Sequence, residues 1–138
     1  PNLSMFGYAV EHSSCTLCYN GDVKSREDKE KNFEKFPEVP ALMLGRGVIA
    51  NPFLVTLIEG SKNGNVIDKE TLQNFHDALY EGYGQISEGI LPVLFKMKEI
   101  WTYMKDLFPE DKKQIKKLKK AENAKDYEQA AAELFALL

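Results

Sequence analysis

Apolar positions come in short runs before residue 60 and in long three-and-four periodicities after it. Asn2 is placed to cap a first helix over 3–12, whose Leu3, Phe6 and Val10 share one face. Residues 15–19, Cys-Thr-Leu-Cys-Tyr, read as a strand, and Asn20-Gly21-Asp22 as the turn that ends it. Ser25 then caps a polar helix to about residue 36, with Asp28 at its third position and Phe33 and Phe36 facing inward. Pro37 and Pro40 end that helix. Ala41-Leu42-Met43-Leu44 is wholly apolar between Pro40 and Gly45, which suits a strand buried on both faces of a parallel sheet. Together these pieces make one βαβ unit. Two parallel strands alone leave both edges unpaired and are marginally stable, so the unit reads as the end of something larger, with self-association through its open edges expected.

A short helical stretch follows Asn51-Pro52, to about Ile58, and the polar, glycine-rich Gly60-Ser61-Lys62-Asn63-Gly64-Asn65 marks the best domain boundary. Beyond it the periodicity is helical throughout. Asp68 caps a helix with the stripe Leu72, Phe75, Leu79, Tyr83, and Gly82, Gly84 and Gly89 are expected to loosen the chain until Pro92 opens the next helix. In that next helix Val93, Met97, Ile100, Trp101, Met104, Leu107 and Phe108 form a core stripe, which Pro109 stops. A lysine-rich helix over about 112–121 buries only Ile115 and Leu118. Asp126 and Gln129 read as the capping box of a last helix that packs Tyr127, Ala130, Leu134 and Leu137. The fold class is therefore α/β followed by an α-helical bundle, with one domain over 1–59 and a second over 60–138.

Composition narrows this picture only a little. At 138 residues, 43% apolar and 28% charged, the chain lies in the globular range. No apolar run approaches the roughly 18–20 residues that cross a bilayer, so no membrane partner and a cytoplasmic setting are expected. Cys15 and Cys18 stand three apart, and on a strand such residues face opposite sides, which argues against a shared metal or disulfide. His12 and His76 lack partners at metal-ligand spacing and read as packing or hydrogen-bonding residues, so no metal site is assigned. The net charge of -3 conceals a basic segment: residues 96–120 carry 9 lysines against 4 acids, while 1–95 carry 8 basic against 13 acidic side chains.

Candidate chemistry sits in two places. The turns Asn20-Gly21-Asp22 and Gly45-Arg46-Gly47 follow the two strands, so both belong to the C-terminal edge of one parallel sheet, the functional edge of α/β folds. Glycine admits close backbone approach, free amides can point at oxyanions, and Arg46 adds a planar, permanently charged donor. Phosphate capture fits these parts, and a turn role for the glycines with Arg46 as a surface charge stands beside it. The second place is the basic face made by Lys96, Lys98 and Lys105 and by Lys112, Lys113, Lys116, Lys117, Lys119 and Lys120. It could track an RNA backbone or simply be a solvated helix face. Tyr103 is the aromatic placed to stack on a base, whereas Trp101 falls on the core stripe.

Tyr19-Asn20-Gly21-Asp22-Val23 and Met43-Leu44-Gly45-Arg46-Gly47-Val48-Ile49-Ala50-Asn51-Pro52 resemble the last two barrel strands and loops of the tRNA-dihydrouridine synthase family. Phe75-His76 and Leu94-Phe95-Lys96-Met97-Lys98-Glu99, with Trp101 and Tyr103, resemble that family's helical C-terminal domain. The resemblance implies a C-terminal fragment of a (β/α)8 TIM barrel, then a tRNA-binding helical domain, in an FMN enzyme that reduces uridines of tRNA with NADPH as reductant. It implies FMN-phosphate contacts from Asn20, Gly21, Asp22, Gly45, Arg46 and Gly47, and tRNA contacts from Lys96, Lys98, Lys105, Lys116, Lys117, Lys119 and Lys120. The family's catalytic cysteine lies in an Asn-x-x-Cys-Pro loop, a pattern this sequence lacks, so no catalytic residue is assigned and the chain alone is expected to be inactive. Two alternatives remain: a non-catalytic RNA-binding or assembly module, and the phosphate-binding end of another flavin barrel enzyme.

Overall fold

The structure is a computed structural model that describes residues 2–60, 68–108, 110 and 112–138. The described residues form two compact units, one of 2–48 with 53–60 and one of 49–52 with 68–138. Most of the expected boundary loop, 61–65, lies outside the described residues, as does Pro109.

In the first unit, α1 (Leu3–His12) starts where Asn2 accepts from the amides of Ser4 and Met5. β1 (Cys18–Asn20) and β2 (Ala41–Met43) pair in parallel around α2 (Arg26–Lys35), which is the expected βαβ unit. β1 is shorter than the sequence predicts. The Ser13 hydroxyl bonds both the amide and the carbonyl of Cys15, at 3.1 and 3.3 Å, and this local loop competes with extension of the strand. The α2 cap is as expected: Asp28 N donates to Ser25 Oγ at 3.1 Å, and Lys24 N donates to the Asp28 carboxylate at 3.0 Å. That amide holds the Asp28 carboxyl below the usual carboxylate range.

Tyr19, Val23, Phe36 and Val39 form the core here, and Phe6 sets its ring edge-on to Tyr19 and Phe36 at 5.0 and 5.1 Å. The expectation that β2 is buried on both faces is corrected. Leu42 packs on this core, but Ala41 is exposed and Met43 is 55% exposed, because no layer of described residues covers their side of the sheet. Two short helices follow, α3 (Arg46–Ala50), unforeseen from the sequence, and α4 (Leu54–Ile58).

The second unit is helical. α5 (Lys69–Ile86) begins at its Asp68 cap, which accepts from the amide of Thr71. It runs straight through Gly82 and Gly84, correcting the expectation that they loosen the chain. Glycine costs a helix only about 1 kcal/mol against alanine, less than the packed apolar face of an 18-residue helix supplies. The break comes at Gly89, whose φ of 83° lies in the left-handed region where a side chain is strained. α6 (Ile90–Met104) starts there, with Pro92 inside its first turn.

α6 is the central element, packing against α5, α7 (Lys112–Lys120) and α8 (Ala124–Phe135). It buries Val93, Leu94, Met97, Trp101 and Met104; fully burying one aliphatic or thioether side chain of this size contributes about 1.5–3 kcal/mol. α7 buries Ile115 and Leu118, as its spacing predicts. α8 is capped by Asn123 rather than by Asp126: Asp126 N donates to Asn123 Oδ1 at 3.0 Å, and Asn123 Nδ2 returns a bond to the Asp126 carboxylate. Because α8 ends at Phe135, Leu137 falls beyond it and is 52% exposed instead of packed. Among the described residues no helix is long and apolar enough to cross a membrane.

Candidate functional site

The register pairs Asn20 with Met43, so the turns after β1 and β2 leave the sheet side by side. Asn20, Gly21, Asp22, Gly45, Arg46 and Gly47 are all brought together, with Val23 and Lys24, around one open cleft of about 450 Å³. Val23 N donates to Gly21 O at 3.0 Å and closes a three-residue turn, and Val48 N donates to Gly45 O at 3.1 Å as the chain enters α3.

The two turns are tied together by Arg46, whose guanidinium donates to Asp22 Oδ1 at 2.8 Å. Both side chains are more than half exposed, so the pair adds at most about 1 kcal/mol to stability. Its larger effect is on the field in the cleft, where Asp22 cancels one positive charge. A guanidinium has five N–H donors, and Arg46 retains donors beyond those Asp22 takes, with Lys24 beside it on the rim.

The two glycines flanking Arg46 differ in why they are bare. A Cβ on Gly47 would stand 2.7 Å from Leu54 Cδ2 and 2.8 Å from Val23 O, so packing within the unit demands glycine there. A Cβ on Gly45 would meet nothing within 4 Å. The fold does not require Gly45 to be bare, and its bareness keeps the cleft open to a ligand's close approach. Space, free donors and a guanidinium together fit an oxyanion such as a phosphate monoester.

Cys15 and Cys18 are both free and exposed, and only Cys18 belongs to the strand, so the argument from opposite faces of one strand does not describe them. No group of three metal-ligating side chains occurs among the described residues. His12 stacks on Tyr8 at 4.0 Å with its Nδ1 against the Tyr8 carbonyl at 2.8 Å.

In the helical unit, Lys113, Lys116, Lys117 and Lys120 line a groove of about 550 Å³ with Ala121, Asp126 and Gln129. Asp126 and Gln129 were not legible as groove residues, because α8 meets α7 only through the tertiary fold. Lys117 Nζ is bonded to both Glu133 carboxylate oxygens at 2.6 and 2.7 Å, and this lysine holds the Glu133 carboxyl below its usual range. Lys119 is exposed, Lys105 lies exposed in a 3₁₀ turn after α6, Lys96 pairs with Glu99 at 3.5 Å, and Lys98 extends over the ring of Phe95. Trp101 is fully buried and Tyr103 half-buried, while Phe95, on the same helix, is 70% exposed.

Residues 8–136 match the family model described as dihydrouridine synthase. Neither the curated proteins nor the solved structures yielded a match.

Proposed function

The chain belongs to the dihydrouridine synthase family, and from that membership we propose that it is the C-terminal portion of a flavin-dependent enzyme that reduces uridine in tRNA. On this reading 1–59 is the end of an FMN-binding (β/α)8 barrel and 60–138 a helical tRNA-binding domain. The backbone of Asn20, Gly21 and Asp22 and the Gly45-Arg46-Gly47 turn hold the FMN phosphate, the usual duty of the last two βα loops of such barrels. The observation that carries the reading is the meeting of both glycine turns and Arg46 in one cleft at the C-terminal edge of a parallel pair.

FMN, when bound, supplies the hydride for the uracil C5–C6 bond, and NADPH restores it. The residues of this chain bind and orient: backbone amides and Arg46 neutralise the phosphate, and Gly45 lets it approach the turn. Neither cysteine is followed by proline, so the proton donor to the uracil ring is assigned to no residue of this sequence. Lys96, Lys98, Lys105, Lys116, Lys117, Lys119 and Lys120 supply sequence-independent contacts to the tRNA backbone.

The phosphate reading is tested by titrating FMN and riboflavin into the protein in parallel. FMN is expected to bind more tightly than riboflavin, with inorganic phosphate competing. Arg46→Ala is expected to weaken FMN by about tenfold while leaving riboflavin unchanged, the loss of one charge-assisted bond. Equal affinity for the two flavins would sink the assignment.

A further inference from the structure

Trp101, Tyr127 and His76 lie on three different helices, α6, α8 and α5, and are buried together. Trp101 Nε1 donates to Tyr127 Oη at 2.9 Å, Tyr127 Oη stands 2.8 Å from His76 Nε2, and His76 Nδ1 stands 2.7 Å from the Asp77 carboxylate. With the ring neutral, one proton arrangement satisfies all three contacts. The indole N–H can only donate, so Tyr127 oxygen accepts from it and turns its own proton to His76 Nε2. That nitrogen must then be bare, and the ring proton sits on Nδ1, donated to Asp77. The imidazolium form would aim a second donor at Tyr127 and displace the phenolic proton from its acceptor.

We propose that His76 is a proton-operated latch, holding α8 against α5 and α6 only while its ring is neutral. Protonation loosens α8 and, with it, the α7–α8 groove, because α8 forms one wall of that groove. Among the described residues, three helices supply the groups that face the ring. α5 supplies Asp77 and the stacked Tyr80, α6 supplies Trp101, and α8 supplies Tyr127 and the edge of Phe135, with Glu128 accepting from Tyr80 at 3.0 Å. Of these only Asp77 favours the charged ring; its carboxylate is 59% exposed, so solvent weakens its pull. Burial, the larger effect, pushes the His76 ring below its ordinary value despite Asp77, and burial likewise raises Tyr127, which stays protonated.

The sign follows from linkage. A folded-state value below the unfolded one means the unfolded chain binds more protons, so this contribution to stability is full above the unfolded value of about 6.5 and declines as pH falls below it. Trp101 is the sole tryptophan of the sequence, so one indole N–H resonance reports on the latch. Between pH 7.5 and 5 that resonance and the melting temperature are expected to change together, the melting point falling by several degrees, following the titration of His76. His76→Gln retains an amide acceptor for Tyr127 and should flatten both responses. Tyr127→Phe, read on the His76 ring itself, should raise its titration midpoint by removing the bond that favours the neutral form. An indole response identical in His76→Gln, or a His76 midpoint unmoved by Tyr127→Phe, would overturn the latch.

Discussion

Gly45 and Gly47 flank the same arginine, yet a methyl group at each should have a different effect. At Gly47 it would press on the carbonyl of Val23, which is backbone and cannot swing aside, so Gly47→Ala is expected to cost about 1–3 kcal/mol in chemical denaturation. At Gly45 the methyl enters open space, so Gly45→Ala should leave stability within about 0.5 kcal/mol and act instead on FMN affinity. Equal destabilisation of both variants would contradict the assignment of Gly45 to the ligand. The glycine-arginine-glycine pattern was legible in the sequence, but its two glycines look alike there. The distinction needs Leu54 and Val23, residues placed against Gly47 by the fold. His76 carries the same lesson: it reads as a packing or hydrogen-bonding residue, but its partner Tyr127 lies 51 residues away, and Trp101, which donates to the same Tyr127 oxygen, lies 26 residues from Tyr127.

Helix boundaries depend on caps more than on interior residues, and α5 and α8 illustrate both sides. Gly82 and Gly84 sit inside α5 with open space where a Cβ would lie. Replacing either with alanine is therefore expected to stabilise the protein by about 0.5–1 kcal/mol, measured as a raised denaturation midpoint. Asn123→Ala should cost about 1 kcal/mol by removing the α8 cap, whereas Gln129→Ala should have little effect on that cap. A larger loss from Gln129→Ala would restore Asp126 as the start of the helix. Asn2 and Asp68 were readable because each immediately precedes an amphipathic run, and Ser25 because Asp28 stands at the third position of the polar helix it caps. Asn123 was not, because Asp126 with Gln129, three residues further on, offers a competing capping pattern at the same helix start.

For the whole molecule, the proposed tRNA contacts through the clustered lysines are expected to make binding strongly salt-dependent. Charge reversal at Lys116, Lys117 and Lys120 is expected to lower affinity across all tRNA sequences and to reduce the slope against log salt by about 3, roughly one per lost phosphate contact. An unchanged slope would mean that these lysines only solvate α7. The effect at Lys117 should be the smallest of the three, because Glu133 already holds its ammonium.

What the sequence determined by itself is local: the βαβ order, the two glycine turns at one sheet edge, the apolar stripes of α6 and α7, and the basic segment, all set by spacing within a few residues. The family resemblance was legible for the same reason, being carried by contiguous motifs such as 43–52. The tertiary structure decided what depends on neighbours distant in sequence: that Asp22 engages Arg46, that Asp126 and Gln129 join the lysine groove, that β2 has one bare face, and that His76 is locked into a three-helix proton chain. Side-chain burial and hydrogen-bond partners are properties of packing, and periodicity names the face a residue occupies without naming what meets it.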